Sequence, residues 1–393
     1  MGNQARHRSK DCKDFMATNA VAKWLIWQRS MLFIRLFITV AVICSLACSS
    51  TVVFAAGPFD VTDPDYTARG ARFVAQGKIS KQCLPSAAGA VDPSYITIDA
   101  PSPGLVDAAF KEGTLTLNSG ISDLPSVDSY TSAFSMRYPQ IKLNVIAGGG
   151  AAAEERFLAD HAAGNNKIDG AISVMPTWIA KALKEKAVVP LDQTIPGFFD
   201  HWPGGHWKWE SEAGATATAF YRSIGIGFNS DLVKGDLIPK SYQDLARPEF
   251  RDQLLGLNPE AAGVYGGVWK HILDTVGEDK MRDIGRNLIK VPLYADIQPA
   301  SQALGAGAGM VIMQLGGNVA QTMRQSGAPV ETIMPENAVA TQYAYVVASK
   351  PQHPNAAKLF AHWLYSADGQ WVMSCGALAG TLAYPAFGAK QVT

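Results

Sequence analysis

Cysteine is scarce, with five in 393 residues, and Cys12, Cys44 and Cys48 all fall in the first 55. No Cys/His spacing resembles a zinc site. Hydrolase signatures are missing too: there is no Gly-x-Ser-x-Gly elbow and no His-Glu-x-x-His pair. The sequence is therefore expected not to encode an enzyme and to need no cofactor or metal. Net charge is also absent, with 34 Lys/Arg against 34 Asp/Glu. That balance hides two unlike parts. Residues 1–55 hold seven basic and two acidic residues, leaving 27 basic against 32 acidic beyond them, a net of −5. A mildly acidic body lacks the basic face that a nucleic-acid partner requires. What remains is a globular composition, 48% apolar and 17% charged, in a length that suggests about two domains.

The amino-terminal 55 residues read as targeting. Basic residues precede an apolar run, Leu32 to Ala47, broken only by Arg35, Thr39 and the Cys44-Ser45 pair. Val53-Phe54-Ala55 supplies a small-residue exit, so cleavage is expected between Ala55 and Ala56, with export to the periplasm. The true start is open between Met1, Met16 and Met31. A membrane anchor competes, but the stretch after Arg35 is roughly a dozen residues, short for a span. A lipoprotein site at Cys48 is a third reading: Ser45-Leu46-Ala47-Cys48 has Ala before Cys but Ser where Leu is usual. In an oxidising compartment Cys83 and Cys375 can pair, and their distance in sequence leaves open whether they do. Residues 56–112 are punctuated by Pro58, Pro64, Pro85, Pro93, Pro101 and Pro103. One helix, Asp65 to Gln76, is expected there among extended loops.

An ordered pattern starts at Gly113. Thr114–Asn118, Ile141–Ile146 and Ile168–Val174 read as strands. Asp128–Tyr138, Ala151–Ala163 and Thr177–Lys186 read as helices between and after them. Strand and helix alternating at this spacing predict a parallel sheet with right-handed crossovers. Ligands bind beyond the carboxyl ends of such strands. The loops Ser119-Gly120-Ile121-Ser122, Ala147 to Ala152 and Ser173-Val174-Met175 therefore converge. Gly148–Gly150 presents backbone N–H groups at a helix start, which suits an anion, although it has neither the P-loop Lys-Ser/Thr nor dinucleotide spacing.

Ala219 to Asp231 is an aromatic and β-branched run interrupted by Gly225 and Gly227. It reads as a strand that bends and then enters a short helical start capped by Asn229-Ser230-Asp231. Lys186–Asp192, Gly205-His206-Trp207-Lys208, Tyr221–Asn229, Pro239–Phe250, Ser349-Lys350-Pro351 and His353–Phe360 follow in order. Together they resemble the solute-binding proteins of ABC importers, in the ferric-iron, polyamine and phosphonate branch, over about residues 113–375.

The resemblance implies an α/β, two-lobed type 2 periplasmic-binding-protein fold with two crossing hinge strands, Ala219–Asn229 and Thr341–Ala348. Lobe one is expected from 113–220 and 342–393, and lobe two from 221–341. The second lobe reads as a strand at Gln253–Leu257, helices at Ala262–Val276, Lys280–Ile289 and Ser301–Ala306, and a strand at Met310–Met313. A monomer that hands a small solute to a membrane permease is implied, with a sensor partner as an alternative. The candidate ligand contacts are Ser119, Gly120, Gly149, Gly150, Ala151, Ser173, Tyr221, Arg222, Glu260, Tyr265, Gln298 and Gln314.

Iron-binding members of the family commonly carry paired tyrosines after the Met310–Met313 strand. Here Gln314-Leu315-Gly316-Gly317-Asn318 supplies amides where ferric iron wants anionic oxygens. Glu260 and Tyr265 suit a polyamine's ammonium groups. Arg222 suits a phosphate or carboxylate, with a structural ion pair as the competing role. A phosphonate or sugar phosphate is the expected solute, with ferric iron or a polyamine as alternatives. The cluster His201, Trp202, His206, Trp207 and Trp209 is expected to be a packed surface loop.

Overall fold

The computed structural model describes residues 64–84, 100–121, 123–147, 150–174, 177–261, 263–290, 293–376 and 379–381. The targeting segment with Cys48, and Gly148 and Gly149 of the glycine loop, lie outside the described residues.

Among the described residues two α-helices precede the sheet, α1 (Pro64–Ala75) and α2 (Pro103–Glu112). The first matches the expected helix; the second stands where only loops were expected. Its signals are local and complete. Ser102 Oγ accepts the Leu105 N–H at 3.2 Å, Pro103 fills the first turn, and Gly113 closes the helix at φ 66°.

The predicted alternation follows as β1 (Thr114–Ser119), α3 (Leu124–Arg137), β2 (Lys142–Ala147), α4 (Gly150–Ala162), β3 (Gly170–Val174) and α5 (Thr177–Lys184). β1 runs parallel to both β2 and β3. α3 starts at Leu124 rather than Asp128, because Asp123 caps it through the Ser126 N–H and Pro125 is compatible with a first turn.

A short strand β4 (Val188–Val189), two one-turn helices α6 (Leu191–Thr194) and α7 (Phe198–His201), and a hairpin of β5 (Lys208–Ser211) and β6 (Gly214–Ala217) lead to the crossing strand. In this stretch Trp202 is core, not surface. It is buried against Phe198 and Tyr365, with its indole N–H donating to the Trp207 carbonyl at 3.2 Å.

β7 (Phe220–Asn229) enters the second half, which comprises β8 (Leu254–Leu255), α8 (Gly263–Asn287), α9 (Ile297–Gly305), β9 (Val311–Gly316), α10 (Gly317–Gln325) and β10 (Val330–Ile333). β11 (Val339–Ala348) returns to the first half, and α11 (Pro354–Tyr365) and α12 (Ala367–Cys375) complete it.

The two helices expected at Ala262–Val276 and Lys280–Ile289 meet at Gly277, whose φ of 79° kinks α8. The expected helical start after Asn229 is a turn instead. The Asn229 side chain accepts the Asp231 N–H at 3.0 Å and donates to the Leu304 carbonyl at 2.8 Å, so it ties the turn to α9. β9 continues past Met313 to Gly316, so the segment expected as a loop is the end of a strand and the start of a helix.

One mixed sheet runs β2-β1-β3-β11-β7-β9-β8, with β10 on β7 and β4 on β11. β7 is antiparallel to β11, β9 and β10. Where it passes β10, the backbones approach so closely that a Cβ on Gly225 would fall on the Ile333 carbonyl. Leu115, Phe134, Tyr345 and Phe360 centre the core of the first lobe. Ile226, Phe228, Ile272 and Val311 centre that of the second.

Two carboxylates, one buried and one half-buried, fasten the first lobe. Asp169, 1% exposed, accepts the Thr116 N–H at 2.8 Å and the His353 N–H at 2.8 Å, joining β1 to the start of α11. Glu112 at the end of α2 accepts the N–H groups of Asn355 and Ala356 at 3.1 and 2.8 Å. These are donors that the first turn of α11 cannot satisfy internally.

Cys83 is bonded to Cys375, so the pairing that the sequence left open is made. It staples the short turn Lys81–Cys83 to α12, where the Trp371 indole also donates to the Cys83 carbonyl at 3.1 Å. Cys375→Ser should lower the unfolding free energy by about 2–5 kcal/mol. Thermal melts of wild type with and without reductant check this. Coincident melts, with the bond shown to be reduced, would refute it.

Candidate functional site

The register of the crossing strands locates a junction. Tyr343 on β11 faces both Val174 at the end of β3 and Phe220 on β7. Further along, Ile224 faces Val339 on one side and Gly316, the end of β9, on the other. The carboxyl ends of β1 and β3 from one lobe and of β9 from the other thus converge on the stretch Phe220–Ile224, about 13 Å of strand. In such sheets this is where ligands bind.

Arg222 stands mid-stretch and is mostly buried. Its Nη1 donates to Asp123 Oδ2 at 2.7 Å and its Nη2 to Ser126 Oγ at 2.7 Å. The same Asp123 caps α3 through its other oxygen. The competing role considered for Arg222, a structural ion pair, is therefore present. The arginine is locked to the helix that opens at the end of β1, and an incoming anion meets a pair instead of a bare cation. Phe220 and Tyr343 stack beside it, with ring centroids 4.8 Å apart and planes 12° apart. Burial pushes the Tyr343 phenol up, while the Arg222 charge pulls it down and that of Asp123 pushes it up again.

On the first-lobe side, Ser119 is fully buried, its Oγ accepting the Ile121 N–H at 3.1 Å. The Gly120 N–H donates to the Ile172 carbonyl at 2.7 Å. Ser173 Oγ donates to Glu154 Oε1. Desolvation holds the Glu154 carboxyl above its ordinary value, the Ser173 bond opposes this, and the Glu155 charge adds to the rise.

On the second-lobe side, Gln314 Nε2 donates to the Tyr265 carbonyl at 3.3 Å. Burial raises the Tyr265 phenol first, and the charge of Asp296 adds to the rise, as does Tyr343. α10 opens at Gly316 with no side-chain cap.

Residues 119–374 match the model of the bacterial extracellular solute-binding protein family. The chain belongs to that family. No curated protein sequence matches it. Among solved structures it is similar to the substrate-binding protein of an ABC transporter from Agrobacterium tumefaciens, at 14% identity and a TM-score of 0.59, over 68% of this chain and 79% of the other. Iron-bound HitA from Pseudomonas aeruginosa is similar at 16% identity and a TM-score of 0.55, over 71% and 90% of the two chains. AfuA from Actinobacillus pleuropneumoniae, with exogenous fructose-6-phosphate bound, is similar at 16% identity and a TM-score of 0.52, over 70% and 87%. These likenesses are of fold: two-lobed, type 2 periplasmic binding proteins.

Of the residues expected to contact solute in this solute-binding protein, the junction brings together Ser119, Gly120, Ser173 and Arg222. Gln314 and Tyr265 are joined across from them. Tyr221 alternates to the other sheet face; its backbone pairs with Gly380 and its ring lies 5.8 Å from Trp207. Glu260 and Gln298 are exposed, their N–H groups held by Asn258 and Asp296 at 3.0 and 2.8 Å. Gly149 lies outside the described residues, and of Gly150 and Ala151 only the helical backbone is described. Asp123, Ser126, Glu154 and Tyr343 were not anticipated. Asp123-Leu124-Pro125 carries a cap-and-proline signal that marks the helix start.

Removing one member of a mostly buried pair strands the other. Arg222→Gln should cost about 3 kcal/mol of stability, and adding Asp123→Asn should recover much of it. Denaturant titrations of the singles and the double measure this, and strictly additive losses would rule out the coupling. Glu154 gives a pH signature. Its folded-state proton is held more tightly than in the unfolded chain, so its contribution is greatest at low pH and is lost as pH rises from about 4.5 through the raised value. Relative to wild type, Glu154→Gln should gain melting temperature across that window and hold the gain above it. A pH-independent difference would contradict this.

Proposed function

We propose that this protein is the solute-binding component of an ABC importer, exported to the cell envelope. In this role it closes two lobes on a small anionic solute, a phosphonate or sugar phosphate, and presents it to a permease. Family membership supports capture of a solute outside the cytoplasm. The observation carrying the anion is the uncapped start of α10 at Gly316, which pairs with Ile224, two residues along β7 from Arg222. Its first N–H groups need acceptors from outside the helix, and the helix dipole favours negative charge there. Arg222 contributes by exchange: a solute oxygen takes up part of what Asp123 and Ser126 hold. Gln314 and Asn318 supply amides where ferric iron wants anionic oxygens, which favours an organic anion over bare ferric iron.

Calorimetric titration with phosphonates, sugar phosphates, polyamines and chelated ferric iron tests the assignment. Saturable binding of the anions is expected, together with compaction in small-angle scattering as the closed form is populated. Tight polyamine or iron binding with no response to anions would overturn the anionic assignment. An unchanged scattering profile at saturation would overturn closure.

A further inference from the structure

Gln314 is 2% exposed, near the end of β9. Its bond to the Tyr265 carbonyl determines which way the amide points. A carbonyl only accepts, so the NH2 faces it and Oε1 is turned elsewhere. Oε1 is buried and has no hydrogen-bond partner among the described residues. Buried acceptors of this kind are rare and destabilising, and each is a place where a donor is missing.

The position of Gln314 indicates where that donor comes from. Directly opposed strand residues share a sheet face, as do alternate residues along a strand. Phe220, Arg222 and Ile224 therefore share a face with Tyr343, Thr341 and Gly316. The pairing of β9 with β7 shifts register between Leu315 and Ile312, and Gln314 lies in that shift; Leu315 packs with Ile312 and Leu255 on the other face, so its neighbour Gln314 turns back to the face of Gly316. From Arg222 to Gln314 is about 13 Å of strand, farther than a bare oxyanion reaches.

We infer that the bound solute donates a hydrogen bond to Gln314 Oε1, and is therefore an organic anion bearing a hydroxyl or ammonium group at the end away from its charge. This rests on the anion-capturing function proposed above. An inorganic oxyanion, or an alkylphosphonate with no donor on its tail, leaves the orphan oxygen unpaired.

The test is calorimetry on the purified full chain with 2-aminoethylphosphonate, glucose 6-phosphate, ethylphosphonate, inorganic phosphate and the neutral donors glucose and ethanol. The donor-bearing anions should bind at least about tenfold more tightly than ethylphosphonate and phosphate, the size of one well-made hydrogen bond. Gln314→Met, of near-equal volume, should collapse that ratio to about one. Gln314→Glu keeps an acceptor and should preserve the preference, and it stands in if the methionine variant does not fold. A ratio unchanged in Gln314→Met, or phosphate bound as tightly as the donor-bearing anions by wild type, overturns the inference while leaving anion capture intact. Neutral donors binding through Gln314 while every anion fails would overturn anion capture and leave the role of Gln314 standing. Silence from all the probes overturns both.

Discussion

The pairing of β7 with β11 is the constraint on which the rest depends. Both strands pass from one lobe to the other, and their five paired positions, Ile224↔Val339 to Phe220↔Tyr343, set the separation of everything attached to them. β3 hangs on β11 and β9 hangs on β7, so the carboxyl ends of the two lobes' strands meet at a spacing decided by backbone hydrogen bonds. A one-residue slip would turn Arg222 away from Asp123 and expose alternate residues of a strand buried along nearly its whole length. The geometry of the junction is thus a by-product of sheet register.

The junction is electrostatically economical. Asp123 caps α3 with one oxygen and holds Arg222 with the other, so one carboxylate serves a helix terminus and a buried guanidinium at once. Such a pair adds little stability against an apolar alternative of the same shape. What it contributes is orientation: two hydrogen bonds hold the guanidinium in one place at the junction. Glu154 and Ser173 form a second polar pair at the end of β3. On the first-lobe side of the junction these polar groups are engaged with one another, whereas the second-lobe side carries an uncapped helix start.

Much of the fold was legible because its signals are local. The β–α alternation after Gly113, both crossing strands and the break in α8 near Gly277 follow from periodicity and glycine placement. α2 was hidden by the prolines around it, although Ser102-Pro103 and Gly113 form a cap-to-cap signature; proline read as a breaker also starts helices. Of the candidate contacts, Ser119, Gly120, Ser173 and Arg222 come together at the junction, but none of their partners was legible. Arg222 could be named from the strand, but its acceptor lies 99 residues away, and no local pattern links the two. Gln314 was read as part of a loop because the strand carrying it was ended too early. Its orphan oxygen is a property of three-dimensional packing and leaves no trace in composition.

The first lobe is assembled from both ends of the chain. Glu112 caps a helix starting at Pro354, Asp169 holds His353, and Cys83 waits for Cys375. During synthesis or vectorial passage across a membrane, β1 to β3 can pair with one another, but β11 and the carboxyl-terminal helices that complete their lobe emerge much later. Until then the far edge of β3 and part of the apolar surface stay uncovered. The second lobe has no such delay, since its strands and helices between β7 and β11 are contiguous. The half of the molecule made first is thus completed last, and truncation beyond α11 removes closure of the amino-terminal lobe rather than a peripheral tail.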